Sequence, residues 1–141
     1  MTYAPYLVPI SVKGIVFENG QVWLRKNERK EWELPGGKLD EGEQPDQTIT
    51  RELLEELGFK TELVSIINAH MYTIQKSIDE TRGVLVVSYL CKLIDKVGDF
   101  EYEGEAGKAE FRSFEVSELV NLNMPSFYKQ DIYDAHSLLS F

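Results

Sequence analysis

Cysteine is nearly absent. Cys91 stands alone in 141 residues, so no disulfide forms within the chain and a reduced compartment is the simpler expectation. It sits in an apolar run, where a thiol behaves as a small buried apolar group. Positive charge is also scarce: 15 Lys and Arg against 24 Asp and Glu leave a net charge of −9. Gripping a polyanionic duplex takes Lys or Arg at many phosphates, so extended nucleic acid is not an expected partner. No stretch approaches the roughly 18 apolar residues of a membrane span, and no charged segment leads into an apolar signal core at the N-terminus. The expectation is a cytoplasmic protein with no membrane partner. Repeats and low-complexity tracts are missing as well, and the apolar and charged fractions are those of a globular protein. We read residues 1–141 as a single domain, long enough to bury about two-thirds of its unfolded surface.

What the chain does have is concentrated between Pro35 and Phe59. Pro35, Gly36 and Gly37 break any regular element, Asp40 to Glu43 form a polar connection, and Pro45 fits the first turn of a helix. That helix is expected to run to about Leu57, with Gly58 as its left-handed C′ residue. At about 100° per residue, Ile49, Leu53, Leu54 and Leu57 share an apolar face, while Glu52, Glu55 and Glu56 gather on the other side. Like charges at this spacing oppose the helix by roughly 0.2–0.5 kcal/mol per pair. A solvated acidic face is one reading. The other is that the carboxylates hold a hard divalent cation against a substrate phosphate, which reconciles the negative charge with a small phosphorylated ligand.

Gly37, five residues, Glu43, seven residues, then Arg51-Glu52-Leu53-Leu54-Glu55-Glu56-Leu57-Gly58-Phe59 resembles a complete Nudix box, with no defining position altered. By that resemblance Glu52, Glu55 and Glu56 match metal-binding glutamates, with a carbonyl ligand from the backbone around Gly37. Arg51 and Glu43 match the pair that braces loop against helix. The metal implied is Mg²⁺, with Mn²⁺ as a substitute. The fold implied is an α+β, Nudix-like α/β/α sandwich with a mixed β-sheet, and the function is hydrolysis of a pyrophosphate bond in a nucleoside diphosphate linked to another group. The substrate is then a nucleoside triphosphate, nucleotide sugar, ADP-ribose or similar compound, and the chain can act alone or as a homodimer. The alternative is a Nudix-like domain that senses a nucleotide or binds a partner without cleaving it; loss of box carboxylates would favour that, and none is lost.

Elsewhere the chain reads as strands and a second helix. Leu7 to Phe17 is rich in Val and Ile, Glu18-Asn19-Gly20 is a hairpin turn signal, and Gln21 to Lys26 is the return strand, burying Val22 and Leu24. Arg25 on its other face is a candidate phosphate contact or a rim charge. Trp32 is a candidate for stacking on a nucleobase or a core residue beside the box. Thr61 to Ile74 reads as one or two strands interrupted at Asn68-Ala69-His70, with His70 a satisfied structural residue. Val84 to Leu93 is a central strand. Asp99 to Gly107 is an acidic, Gly-bearing loop whose Glu105, then Glu103, is a candidate general base. Glu110, on a strand running to Phe114, is a third. If none of them acts, the proton leaves through a box glutamate, Glu52 first, or through solvent. Ser117 is a candidate cap for a short helix from Glu118 to Leu122. Phe127, Tyr128, Ile132, Ala135, Leu138 and Leu139 recur at helical spacing, so a C-terminal helix should pack on the sheet, leaving His136 at the surface.

Overall fold

The computed structural model describes residues 5–75, 77–78, 81–98, 103–104 and 107–139, with only the backbone of residues 103–104 and 107–108. Strand β1 (Ile10–Glu18) lies at its centre. Along one edge, β1 pairs in parallel with β6 (Thr81–Lys96), Ile10 opposite Leu85 through Val16 opposite Cys91. Its other edge is divided. Ser11 to Lys13 pair antiparallel with β4 (Gly36–Lys38), and the tip, Phe17 and Glu18, pairs with β2 (Gln21–Lys26). Between them the Gly14 N–H donates to the Pro35 carbonyl (2.9 Å), so the segment around Pro35 enters where β2 leaves. The β1–β2 turn is made by Asn19 and Gly20, both at positive φ (52° and 79°), the geometry whose twist matches an antiparallel hairpin.

β2 carries β3 (Trp32–Glu33) and β9 (Glu110–Glu115), and β6 carries β5 (Phe59–Gln75). The result is a mixed sheet in the order β3-β2-β1-β6-β5, with β4 and β9 as branches. β5 is one strand of 17 residues. Its register shifts at Lys60/Thr61, Leu63/Ser65 and Ile66/Asn68 absorb the irregularity that suggested a break. In the acidic segment, β7 (Glu103–Gly104) and β8 (Gly107–Lys108) pair antiparallel, so a small strand pair stands where a loop was expected.

Each face of the sheet takes one helix. Helix α1 (Pro45–Leu57) lays Ile49 and Leu53 on Val12, Val16, Phe59 and Cys91. Helix α2 (Ser126–Leu138) lays Tyr128, Ile132 and Ala135 on Ile15, Val86 and Leu90. Successive β1 residues thus serve opposite layers, which is why the middle of that strand is buried throughout. Each fully buried aliphatic chain here contributes roughly 1.5–3 kcal/mol. A 3₁₀ helix (Val116–Asn121) precedes α2. Its N-terminus is closed by Glu118, which accepts from the Glu115 N–H (3.3 Å), so Ser117 lies inside the turn and is not its cap. Leu138 and Leu139, expected on the sheet, are exposed. No helix among the described residues is long and apolar enough to cross a membrane.

Candidate active site

Gly36 and Gly37, expected to break regular structure, form strand β4 on β1, and that strand meets helix α1 face to face. Helix α1 spans Pro45–Leu57, the Gln47 side chain accepts from the Gln44 N–H (2.9 Å) at its start, and the Gly58 N–H bonds the Leu54 carbonyl (3.0 Å) at its end. β4 crosses its flank, which changes the environment of the three glutamates. Glu56, assigned by helical periodicity to an open acidic face, is 2 % exposed, and its Oε2 accepts from the Gly36 N–H (3.1 Å). Glu52 is half-buried against Gly37: a Cβ on that glycine would stand 2.5 Å from the Glu52 carboxylate. Glu55 remains exposed. Leu54, expected on the apolar face, is exposed as well.

Burial pushes the Glu56 carboxyl up to about 7, against the opposing pull of Lys13, and Glu52 adds to the rise. Burial raises Glu52 too, opposed by Arg51. Two carboxyl groups are therefore held in a cradle that disfavours their charge, and a divalent cation would relieve that. Among the described residues, no three His, Cys, Asp or Glu side chains stand close enough together to hold a metal ion as they are. Glu52 and Glu55 turn to Arg51, whereas Glu56 turns to Gly36. The donor set suits Mg²⁺ or Mn²⁺, with the side chains still to converge.

Arg51 faces acids on every side. Its Nε and Nη2 fork the Glu43 carboxylate (2.9 and 3.0 Å), and Nη2 also reaches Asp40 (3.2 Å). Nη1 bonds Glu52 (3.0 Å) and Glu55 (3.2 Å). Glu43 additionally accepts from the Thr48 hydroxyl (3.1 Å) and the Asp40 N–H (3.3 Å), so the loop is tied to the helix through one carboxylate. The Arg51 hydrogen bonds outweigh desolvation and hold the Glu43 carboxyl down at about 2, from an ordinary 4.5. Because the folded value lies below the unfolded one, this contribution is complete above about pH 4.5 and is lost as pH falls toward 2. Glu43→Gln should flatten that part of an acid-unfolding curve; an unaltered curve would show the pair to be energetically idle. Arg51→Ala should lower activity and melting temperature together. The thermal loss should stay below that of a fully buried ion pair, since both side chains are partly exposed.

Three residues not singled out from the sequence adjoin the box. Lys13, Glu33 and Asn27 are all buried. Arg25 bonds Glu33 (2.8 Å), Asn27 Nδ2 donates to the same carboxylate (3.2 Å), and Lys13 Nζ lies 3.8 Å from it. Burial works against the Lys13 charge, yet Glu33, with help from Tyr128 and Glu56, outweighs it and holds the ammonium above its ordinary value. Burial likewise opposes the Glu33 charge, and Lys13, Asn27 and Arg25 overcome it, leaving that carboxyl below the usual range. The available signal was a lone charge inside each of two apolar strands, Val12-Lys13-Gly14 and Trp32-Glu33-Leu34.

The remaining candidates divide. Arg25, a candidate phosphate contact or rim charge, forms an ion pair with Glu33. Trp32, a candidate either for stacking on a base or for a core place beside the box, is 7 % exposed and meets Phe114 edge to face at 4.8 Å, with Lys26 and Arg112 against its ring. That is a core position, with no open face for a base. Glu110 is exposed and paired with Arg112 (3.0 Å). Glu105 and the Glu103 side chain lie outside the described residues. His70 bonds the buried Asp131 of α2 (2.9 Å) as part of the sheet-to-helix packing.

The sequence profile of the NUDIX domain matches residues 8–134. A MutT-like protein of Streptomyces ambofaciens is 33% identical over 91 residues, covering 63% of this chain and 54% of the relative. A protein of Tolumonas auensis named RNA pyrophosphohydrolase is 46% identical over 57 residues, covering 38% of this chain and 33% of the relative. The chain thus spans about half of the first relative and a third of the second. Among solved structures, one described as an ADP-ribose pyrophosphatase from Streptococcus suis superimposes with a TM-score of 0.69 at 17% identity, covering 94% of this chain and 92% of that one. At that identity the likeness is one of fold.

Proposed function

The chain belongs to the NUDIX domain family, and from that premise we propose that it hydrolyses a pyrophosphate bond in a nucleoside diphosphate linked to another group. The proposed metal is Mg²⁺, or Mn²⁺ in its place, with Glu52, Glu55 and Glu56 as ligands together with backbone around Gly37. The observation that carries this reading is the seating of two carboxylates, Glu52 and Glu56, on the two glycines that begin β4, where burial disfavours their charge. When bound, the metal supplies charge neutralisation at the phosphates and a more acidic water. The chain's own part is positional. Arg51 and Glu43 fix the loop against α1, Gly36 aims Glu56, and a carboxylate accepts the proton of the attacking water.

For that acceptor the first proposal is Glu105, flanked by Gly104 and Gly107, followed by Glu103 and Glu110. Replacement of the true acceptor by Gln should lower kcat by about 10²–10⁴-fold at unchanged Mg²⁺ affinity. If all three Gln variants keep full kcat, the proton leaves through a box glutamate, Glu52 first, or through solvent. The function itself is tested by assaying phosphate and pyrophosphate release, with and without Mg²⁺, from nucleoside triphosphates, nucleotide sugars, ADP-ribose, dinucleoside polyphosphates and a 5′-triphosphorylated RNA oligomer. The RNA arm is included because a relative of that name is 46% identical over 57 residues. Metal-dependent release from one class is expected; tight binding without release from any would favour a sensing role.

A further inference from the structure

We propose that Arg51 is a displaceable counter-cation: in the metal-free protein its Nη1 neutralises Glu52 and Glu55, and it surrenders both when metal binds while its other nitrogens keep Glu43 and Asp40. The inference rests on the metal reading above. The guanidinium is divided in a way a simple brace does not require. Nε and Nη2 point to the loop acids Glu43 and Asp40, whereas Nη1 alone serves the two helix acids, at 3.0 and 3.2 Å. The two ends also differ in strength. The Glu43 end is a two-bond fork reinforced by Thr48 and the Asp40 N–H. The Nη1 end is a single nitrogen shared between two carboxylates, giving each one bond; the Glu55 side chain is 51 % exposed, where such a pair binds weakly, while that of Glu52 is 13 % exposed. A dication arriving at Glu52 and Glu55 therefore breaks the weak end and leaves the strong one, so the loop keeps its place during the exchange. The same division accounts for the absence, among the described residues, of a ready-made three-acid cage: two of the acids are already engaged by a cation of the chain's own.

Two measurements test this. The first uses the wild-type protein labelled with ¹⁵N in arginine side chains, with metal occupancy established separately by water-proton relaxation with Mn²⁺. On saturation with Mg²⁺ the Arg51 Nη1 hydrogens should lose their slow exchange with water while Nε–H retains it. Unchanged Nη1 exchange at full occupancy overturns the proposal and leaves the metal site standing; failure of Mn²⁺ to bind overturns both. The second is a mutant cycle read by Mn²⁺ affinity. Glu43→Gln takes the charge and one acceptor from the strong end, so the guanidinium competes harder for Glu52 and Glu55 and affinity should fall at least about tenfold. Adding Arg51→Met to Glu43→Gln removes the competitor and should restore most of that loss. A brace acting only through loop position predicts no recovery, and that result would sink the proposal.

Discussion

Glu56→Gln is expected to lower turnover by at least about 10²-fold while leaving the metal-free protein no less stable than the parent. The two halves of this result come from one environment. Glu56 is 2 % exposed, its Oε2 takes the Gly36 N–H, and burial pushes its carboxyl up to about 7. A glutamine carbonyl can accept the same hydrogen bond, and the side chain is nearly the same size, so packing is kept. What is lost is charge at a proposed metal ligand. Without metal that charge is a liability. A folded value near 7 against an ordinary 4.5 means that the folded state holds a proton which the unfolded state releases between those values. Stability of the metal-free protein therefore falls as pH rises from about 4.5 to 7, by on the order of 3 kcal/mol if Glu56 acts alone. Glu56→Gln should flatten that slope. Denaturant titrations in chelator across this pH range, beside turnover with Mg²⁺, read both effects. Parental turnover in the variant would remove Glu56 from the metal set, and a variant strongly destabilised at pH 7 would show that its charge is structurally required.

The parts of this site that were legible in the sequence are those made by neighbours in the chain. Pro45 and Gly58 bound α1 on both sides, and Asn19-Gly20 marks the β1–β2 hairpin, because each is a statement about local backbone; Gly36 and Gly37, expected to break regular structure, instead pair with β1 as strand β4, a tertiary outcome. Contacts between distant segments were not legible. Helical periodicity separates a polar from an apolar face but carries no information on which polar residue another strand will cover, so it groups Glu56 with the exposed Glu55 although β4 lies over Glu56. The Lys13–Glu33 pairing is invisible for the same reason: each residue alone is a charge in an apolar strand, and only the fold places them together. β5 seemed interrupted because Asn68 and His70 are polar. Both bond Asp131 of α2, and that tertiary partner lets the strand run through.

The two adjacent glycines of β4 should respond to alanine in opposite ways. At Gly36, φ is 145°, a conformation that L side chains rarely adopt, and a Cβ would overlap the Val12 carbonyl oxygen and crowd the Lys13 Cα at 2.9 Å. Those atoms are backbone in the central strand, so relief requires moving β4 off β1 and with it the N–H that holds Glu56. Gly36→Ala should cost about 3 kcal/mol or more and lower the melting temperature accordingly. At Gly37 the obstacle is the far end of a flexible side chain, the Glu52 carboxylate at 2.5 Å. That group can swing away, so Gly37→Ala should leave the melting temperature within a few degrees of the parent, since surface-type adjustments usually stay within about 0.5 kcal/mol. It should nevertheless weaken Mn²⁺ binding and turnover together, because the carboxylate that moves is a proposed metal ligand. Thermal denaturation and Mn²⁺ titration on the two variants separate the cases. If Gly37→Ala keeps full metal affinity, Glu52 does not depend on Gly37 for its aim, and the cradle formed by Gly36 and Gly37 serves Glu56 alone.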